Sequence, residues 1–526
     1  MKTIYFGGPI LTMERPLYAP ALLEEDGRIL ALGTKEELAA GATGCAWVDL
    51  QGRALLPGFV DAHSHFSQVA ASMLQADLDG TTTLEAMADR LQTFLLAANP
   101  APGAWVQAGG YDQNRMPGGA LPTRAELDAL TPGRPLAIQH KSGHSGLLNT
   151  LALQALGLTA AEKDPAGGHY GRAAGQLTGY LEENAWFAAQ KRLPGPDPAA
   201  LLKGYAKAQQ VYAAHGITTV QDGMMVAEML PLYEMLDAAN LLYLDLVLYP
   251  DTATWPKARA KWPDRVRRYR DHVKLGGIKI FLDGSPQGRT AWMETPYLGE
   301  PKTSGYGTLP DDAVQSAQCL AGREGVQLLA HCNGDAAAAQ YLRCLAAAEA
   351  QVPALRDLRP VMIHAQLMRP DQMPQARDLG VIASFFVAHV YHWGDTHIKN
   401  FGLGRAAQIS AAASALQCGL PFTFHQDAPV IAPDMLETIW CAVTRQTKSG
   451  VTLGAGERIP VGEALKAVTT RAAYQYFEEE TKGTLRPGKR ADFVILNRDP
   501  LMTPPQELRD VQVCQTIKDG RTIYKR

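Results

Sequence analysis

Two histidines one residue apart, His63 and His65, stand in "PGFVDAHSHF" at residues 57–66, straight after a short apolar run. Side chains alternate across a strand, so these imidazoles and Asp61 share a face, and two imidazoles on one face can hold the same cation. Farther along, polar residues again close apolar runs. They are Lys279 in "GIKIFLDG", His331 in "VQLLAH", His364 in "PVMIH", and His425 with Asp427 in "PFTFHQD". In "GIKIFLDG", Ile278, Ile280 and Leu282 face one way and Lys279, Phe281 and Asp283 the other, into the fold. Burial disfavours a charged lysine. A neutral amine can take up carbon dioxide and become a carbamate, an anionic ligand with two oxygens. Each of these residues alone could be an ordinary hydrogen-bonded core side chain. Together they supply the nitrogen and oxygen ligands that divalent transition metals prefer.

Elements must carry these residues to one place. The first fifty residues read as short strands broken by Asp-Gly and Gly-Gly turns, and the last forty read the same way, with "KDG" between two alternating runs. The middle alternates apolar strands with alanine- and leucine-rich helices. Its candidate strands include "PLAIQH" (135–140), "ITTVQDG" (217–223), "LYLDLVLY" (242–249) and "VIASFF" (381–386), besides those already named. That alternation predicts a parallel α/β sheet, closed into a (β/α)₈ TIM barrel, whose chemistry would gather at the carboxyl ends of the strands. The expected domains are a composite β-sandwich from residues 1–56 and 484–526, and a barrel over 57–483 with an insertion within about 66–210.

Bulk composition excludes several function classes. The chain has 526 residues, 46% hydrophobic and 20% charged, with a formal charge of -3. A large core is affordable, and no basic face is offered to nucleic acid. The most basic stretch, residues 257–274, reads as a solvated helix face. Seven scattered cysteines without a CxxC fit reduced thiols. No apolar run approaches a membrane span, and no signal peptide is evident, so a cytoplasmic protein is expected.

The ordered ligands, with "GGYDQNRMPGGALPTRAELDAL", "SGHSGLLNTLAL", "LTGYLEEN", "IKIFLDGSPQGRTA", "HCNGDAA", "HQDAP" and "GTLRPGKRADFVIL", resemble the amidohydrolase superfamily, in particular its YtcJ-like branch, amidohydrolase family 3. The resemblance spans nearly the whole chain. It implies a distorted barrel with a terminal β-sandwich, and a metal-dependent hydrolase with one or two divalent ions, zinc foremost. His63 and His65 then fall on the more buried metal, carboxylated Lys279 bridges, and His331 and His364 bind the second. Asp427 binds the buried metal and shuttles the proton. The family commonly shows Ser-Asp-x-Pro at the eighth strand, where this chain has His425, Gln426, Asp427, Ala428 and Pro429. The stretch "SFFVAHVYHWGDTH" (384–397) is unusually rich in histidine and aromatic residues.

The expected reaction is cleavage of a non-peptide carbon–nitrogen bond of a small molecule by a metal-activated hydroxide, Asp427 moving the proton. Lactone or ester hydrolysis and deamination are alternatives on the same scaffold, a deaminase having no need of Lys279. A non-catalytic barrel is the remote one. Further substrate-facing or supporting candidates are His144, Glu183, Asp335, His425, Tyr111, Arg115, Arg289 and Trp292, with Asp61 as an orienting carboxylate. Similar proteins suggest a homodimer.

Overall fold

Runs such as "VMI" (361–363) and "LLA" (328–330) are apolar on both sides of the alternation, the pattern of strands buried on both faces. In the computed structural model they are parallel strands. It describes residues 2–41, 44–141, 145–165, 168–195 and 198–526. The chain forms two compact units, Met1–Phe66 with Gln209–Arg526, and Ser67–Ala208.

The first unit holds two parallel arcs. One orders Val273–Leu275, Asp245–Pro250, Ile217–Met225 and Phe59–Val60. The other runs in sequence order through Gly277–Phe281, Gln327–Cys332, Val361–His364, Ile382–Phe385 and Phe422–Phe424. The nine strands are hydrogen-bonded as these two arcs, not as one closed ladder. Helices Asp311–Glu324, Asp335–Glu349 and Met435–Thr444 fall between or after strands of the second arc. Gly325, at φ 67°, ends the first of these helices in the left-handed conformation that glycine adopts without cost.

Both ends of the chain share one eight-stranded sheet. Lys2–Leu11 pairs with Tyr18–Glu25 and Ala54–Pro57, and Ala54–Pro57 pairs antiparallel with Phe493–Leu496. Asp26-Gly27 and Asp519-Gly520 turn its hairpins, all four residues at positive φ. Two-residue turns matching strand twist require that conformation. Tyr5, Leu22, Ile29, Leu55, Phe493 and Ile517 build its core. All eight strands are hydrogen-bonded as a single sheet.

The second unit has one mixed sheet, ordered Gly168–Ala173, Gln176–Glu183, Ser145–Leu148, Leu136–His140, Val106–Tyr111 and Ala76–Asp77. "PLAIQH", expected among the strands of the middle segment, belongs to this sheet and to neither parallel arc. The basic stretch also departs from expectation. Its helix covers only Trp255–Lys261; Arg265 is buried against Asp237 at 2.9 Å, and Lys274 lies in a strand, ion-paired with Glu478. Partners distant in sequence neutralise these cations, so they can leave the surface. All seven cysteines are free, and no helix of the described residues is long and apolar enough to cross a membrane.

Candidate metal centre

The two arcs carry the singled-out residues at or beyond strand ends, except Lys279, which sits in mid-strand. His63 and His65 follow Phe59–Val60, and His65 bridges to Asp222 in the next strand. Lys279 lies within Gly277–Phe281, His331 near the end of Gln327–Cys332, and His364 at the end of Val361–His364. Asp427 follows Phe422–Phe424. His364 and Asp427 hold left-handed backbone, at φ 72° and 56°. Non-glycine residues rarely do so, and such conformations cluster at functional sites.

Each ligand-type histidine is held by one ring nitrogen. His63 Nδ1 lies 2.5 Å from Gln221 Oε1, and His65 Nδ1 lies 2.7 Å from the Gly223 carbonyl. The Gln221 amide nitrogen donates to the Ala62 carbonyl and the Tyr476 hydroxyl, which fixes its oxygen as the acceptor. Both Nδ1 atoms therefore carry the proton, and both Nε2 atoms present a lone pair. A Cβ at Gly223 would meet His63 Cε1 at 2.6 Å, so only glycine leaves room for this ring. His331 Nε2 lies 3.2 Å from the Gly284 carbonyl and 3.0 Å from the Asn333 amide nitrogen, which itself donates to that carbonyl at 2.8 Å. In the tautomer that donates to Gly284, His331 Nδ1 is bare. His364 Nδ1 lies 3.1 Å from His425 Nε2, and His425 Nδ1 lies 3.0 Å from Ser384 Oγ. With His425 protonated on Nδ1, its Nε2 accepts from His364, whose own Nε2 is then bare.

The free nitrogens meet at Asp427. His63 Nε2 and His65 Nε2 lie 3.3 and 3.2 Å from its Oδ1, and His364 Nε2 lies 3.8 Å from its Oδ2. His331 Nδ1 is 3.2 Å from His364 Nε2. Oδ1 is buried and accepts no hydrogen bond, although two nitrogens lie within 3.3 Å. Lone pairs facing a carboxylate repel one another unless a proton or a cation lies between them. One ligand atom each from His63, His65 and Asp427 fall within 4.8 Å of one another, a set that can hold a metal ion. Burial alone would raise the Asp427 carboxyl, but His364 and then His65 outweigh it and hold it well below the carboxylate range. Burial would lower His65, yet its contact with Asp427 raises it. A shared proton relieves the clash at one ring only; a divalent cation would relieve it at every ring it touches. The donor chemistry thus fits a metal.

Lys279 is fully buried, its Nζ 3.5 Å from His63 Nε2 and 5.4 Å from the Phe281 ring centroid. Burial lowers its amine from 10.5 to about 7, only partly offset by the charge of Asp427. Burial, then the Lys279 charge, brings His331 to about 4, so that ring is neutral near pH 7.

The remaining candidates are placed elsewhere. Asp335 is buried and accepts from the Glu294 amide at 2.9 Å and from Arg369 at 3.2 Å, which ties loops beside His331. Arg289 donates to Asn400 at 2.9 Å and pairs with Glu300, and neither contact touches the cluster. Trp292 donates its backbone N–H to Asp283 at 3.0 Å. His425 stands against His364, Nε2 to Nδ1 at 3.1 Å, and its ring lies 5.2 Å from that of His63. Gln426 turns toward the helix Met435–Thr444 and donates to Thr438. Asp61 accepts the His63 backbone N–H at 3.3 Å and neither imidazole. In the second unit, Tyr111 packs in an apolar core, Arg115 is exposed, and Glu183 is half-buried with φ 48° before the helix Asn184–Gln190. His144 lies outside the described residues.

Sequence reasoning missed the residues that aim the imidazoles: Gln221, Ser384, Asn333 and the carbonyls of Gly223 and Gly284. Gln221 had a usable signal, a polar side chain inside the apolar strand "ITTVQDG". Asp283 faces inward, as its strand alternation predicts, and accepts from the amides of Trp292, Asn333 and Gly334.

Comparison with known proteins agrees with this arrangement. The amidohydrolase family model matches residues 46–524. YtcJ of Bacillus subtilis (strain 168), itself only provisionally named an amidohydrolase, is 28% identical over 100% of both chains. The N-substituted formamide deformylase of Arthrobacter pascens is 28% identical over 97% of this chain and 95% of its own. An uncharacterized metal-dependent hydrolase of Pyrococcus horikoshii shares the fold, with a TM-score of 0.80 at 23% identity, over 96% of this chain and 99% of that one. The matched model spans both arcs and the strands of the shared sheet from Ala46 onward: the chain belongs to the amidohydrolase family.

Proposed function

We propose that this chain is a metal-dependent hydrolase that cleaves a non-peptide carbon–nitrogen bond of a small molecule. The observation carrying this reading is the set of bare imidazole nitrogens aimed at a carboxylate oxygen that accepts no hydrogen bond. The formamide deformylase relative, similar over almost the whole chain, supports the bond class.

His63, His65 and Asp427 would hold one cation, and His331 with His364 a second. Zinc is the first ion to test, although nitrogen and oxygen donors also accept iron, manganese, cobalt and nickel. A divalent ion there acidifies water and polarises a carbonyl. Lys279, about half uncharged near pH 7, can add carbon dioxide: its N–C bond forms, one proton leaves, and a carbamate anion results. Asp427, held ionised, takes a proton from water on a carboxylate oxygen and passes it to the departing nitrogen. We read the two arcs as one distorted eight-stranded-type barrel, and the shared terminal sheet as the β-sandwich. The approach of Asp245–Pro250 to Gly277–Phe281 supports the barrel.

Two experiments follow. Protein stripped with a chelator and reloaded with zinc should hydrolyse N-formyl or N-acyl amines, lose that activity on renewed chelation, and regain it with metal. Turnover of lactones alone would overturn the carbon–nitrogen reading. Separately, Gln221→Leu should weaken zinc binding by about 10- to 100-fold in equilibrium dialysis, because His63 loses the acceptor that fixes its tautomer. Unchanged affinity would remove Gln221 from the support of the site.

A further inference from the structure

The stretch "SFFVAHVYHWGDTH" brings histidines that the proposed metal centre does not use. Its strand, Ile382–Phe385, is hydrogen-bonded between the strand that ends in His364 and the strand that leads to Asp427. The helix His389–Ala406 begins just beyond, so its first residue, His389, stands at the same strand ends as the metal centre. The His389 ring packs 4.5 Å from Phe386 and 4.5 Å from Trp393. Phe386 in turn lies 5.4 Å from the His425 ring and 6.3 Å from the His364 ring. On its other side His389 meets buried His397, Nδ1 to Nε2 at 3.1 Å, with the two rings stacked within 10°.

Burial holds His389 well below the ordinary histidine value and brings His397 to about 3, so both rings are neutral. One N–H joins them, and either ring could supply it. The far nitrogen of His397 decides which. His397 Nδ1 is buried with no partner among the described residues. If His389 donated, that Nδ1 would carry a proton with nothing to accept it. An orphaned buried N–H is the rarer and costlier defect, compared with an orphaned lone pair. His397 therefore donates from Nε2, and His389 keeps its proton on its own Nε2. Among the described residues nothing pairs with His389 Nε2, and the residue as a whole is 4% exposed.

We propose that His389 is a substrate-binding residue whose Nε2–H, fixed by His397, donates to a substrate oxygen. Phe386 and Trp393 form the apolar wall for the group next to that oxygen. The substrate class narrows accordingly, to small molecules that carry an oxygen acceptor beside an apolar or aromatic group. The reaction itself rests on the hydrolase reading above; the tautomer does not.

Ring-nitrogen NMR of protein labelled with ¹⁵N-histidine, assigned with His389→Phe and His397→Phe, tests the tautomer without any substrate. The expected result is a protonated Nε2 on both rings, and a protonated Nδ1 on His389 would overturn the proposal. Kinetics on the amide found by the screen test the contact. His389→Phe, which keeps the ring packing, should raise KM at least tenfold at unchanged zinc content. His389→Gln, which keeps an N–H near the Nε2 position, should restore most of that loss. Unchanged KM in His389→Phe, or no recovery in His389→Gln, would refute the donor role. A screen in which nothing turns over would instead count against the hydrolase reading, and the spectra would still decide the tautomer.

Discussion

Asp427→Asn is expected to lower kcat by about a hundred- to ten-thousand-fold, the range that a positioned proton carrier contributes. The amide keeps the shape and one oxygen of the carboxylate, so the zinc content should stay near that of the unaltered protein. It cannot take up a proton at neutral pH, so water is no longer deprotonated and the departing nitrogen is no longer protonated. Metal analysis beside single-turnover kinetics separates the two contributions. Full activity in Asp427→Asn would end the proton-carrier role, whereas loss of zinc together with activity would make Asp427 chiefly a ligand.

Lys279→Met should have two effects, one on the loaded enzyme and one on the stripped protein. In the loaded enzyme the bridging anion cannot form, so metal content should fall by about one ion per chain and turnover with it. Preparing the unaltered apoprotein in buffer freed of carbon dioxide should slow its reactivation by zinc, and added bicarbonate should reverse this. In the stripped protein the effect is on stability. The lysine amine is lowered from 10.5 to about 7, so between these pH values the unfolded chain binds a proton that the folded chain does not. Folding stability from this group therefore rises as pH increases across that window, by an upper bound of about 5 kcal/mol. Lys279→Met should flatten that slope in chelator-treated protein, measured by denaturant unfolding at several pH values. An unchanged slope would mean that the amine stays charged in the fold.

The strand ends were legible because a polar side chain is conspicuous where an apolar run stops. His63, His331, His364 and Asp427 all stand out in that way, and the structure links them by contacts of 3.2 to 3.8 Å. What aims them was much less visible. Two of the anchors are backbone carbonyls, of Gly223 and Gly284, and a carbonyl has no letter of its own. Ser384 and Gln221 are side chains, but their partners are 41 and 158 residues away, a pairing that local pattern cannot show. The strand Val273–Leu275 was hidden for the same reason. Its Lys274 reads as a surface cation until Glu478, 204 residues on, neutralises it inside the protein. The mixed α/β class followed from alternation alone. The division of the parallel strands into two arcs did not, because it depends on which neighbouring backbones pair.

The strand before the two leading histidines is held from the far end of the chain. Leu56 is paired with Val494, and the Gly58 amide donates to the Asp492 carbonyl at 2.8 Å. During synthesis the HxH segment leaves the ribosome early, while the strand that anchors it comes more than four hundred residues later. Its register is thus fixed only once that later strand has emerged, so a nascent chain should hold the HxH segment open until then.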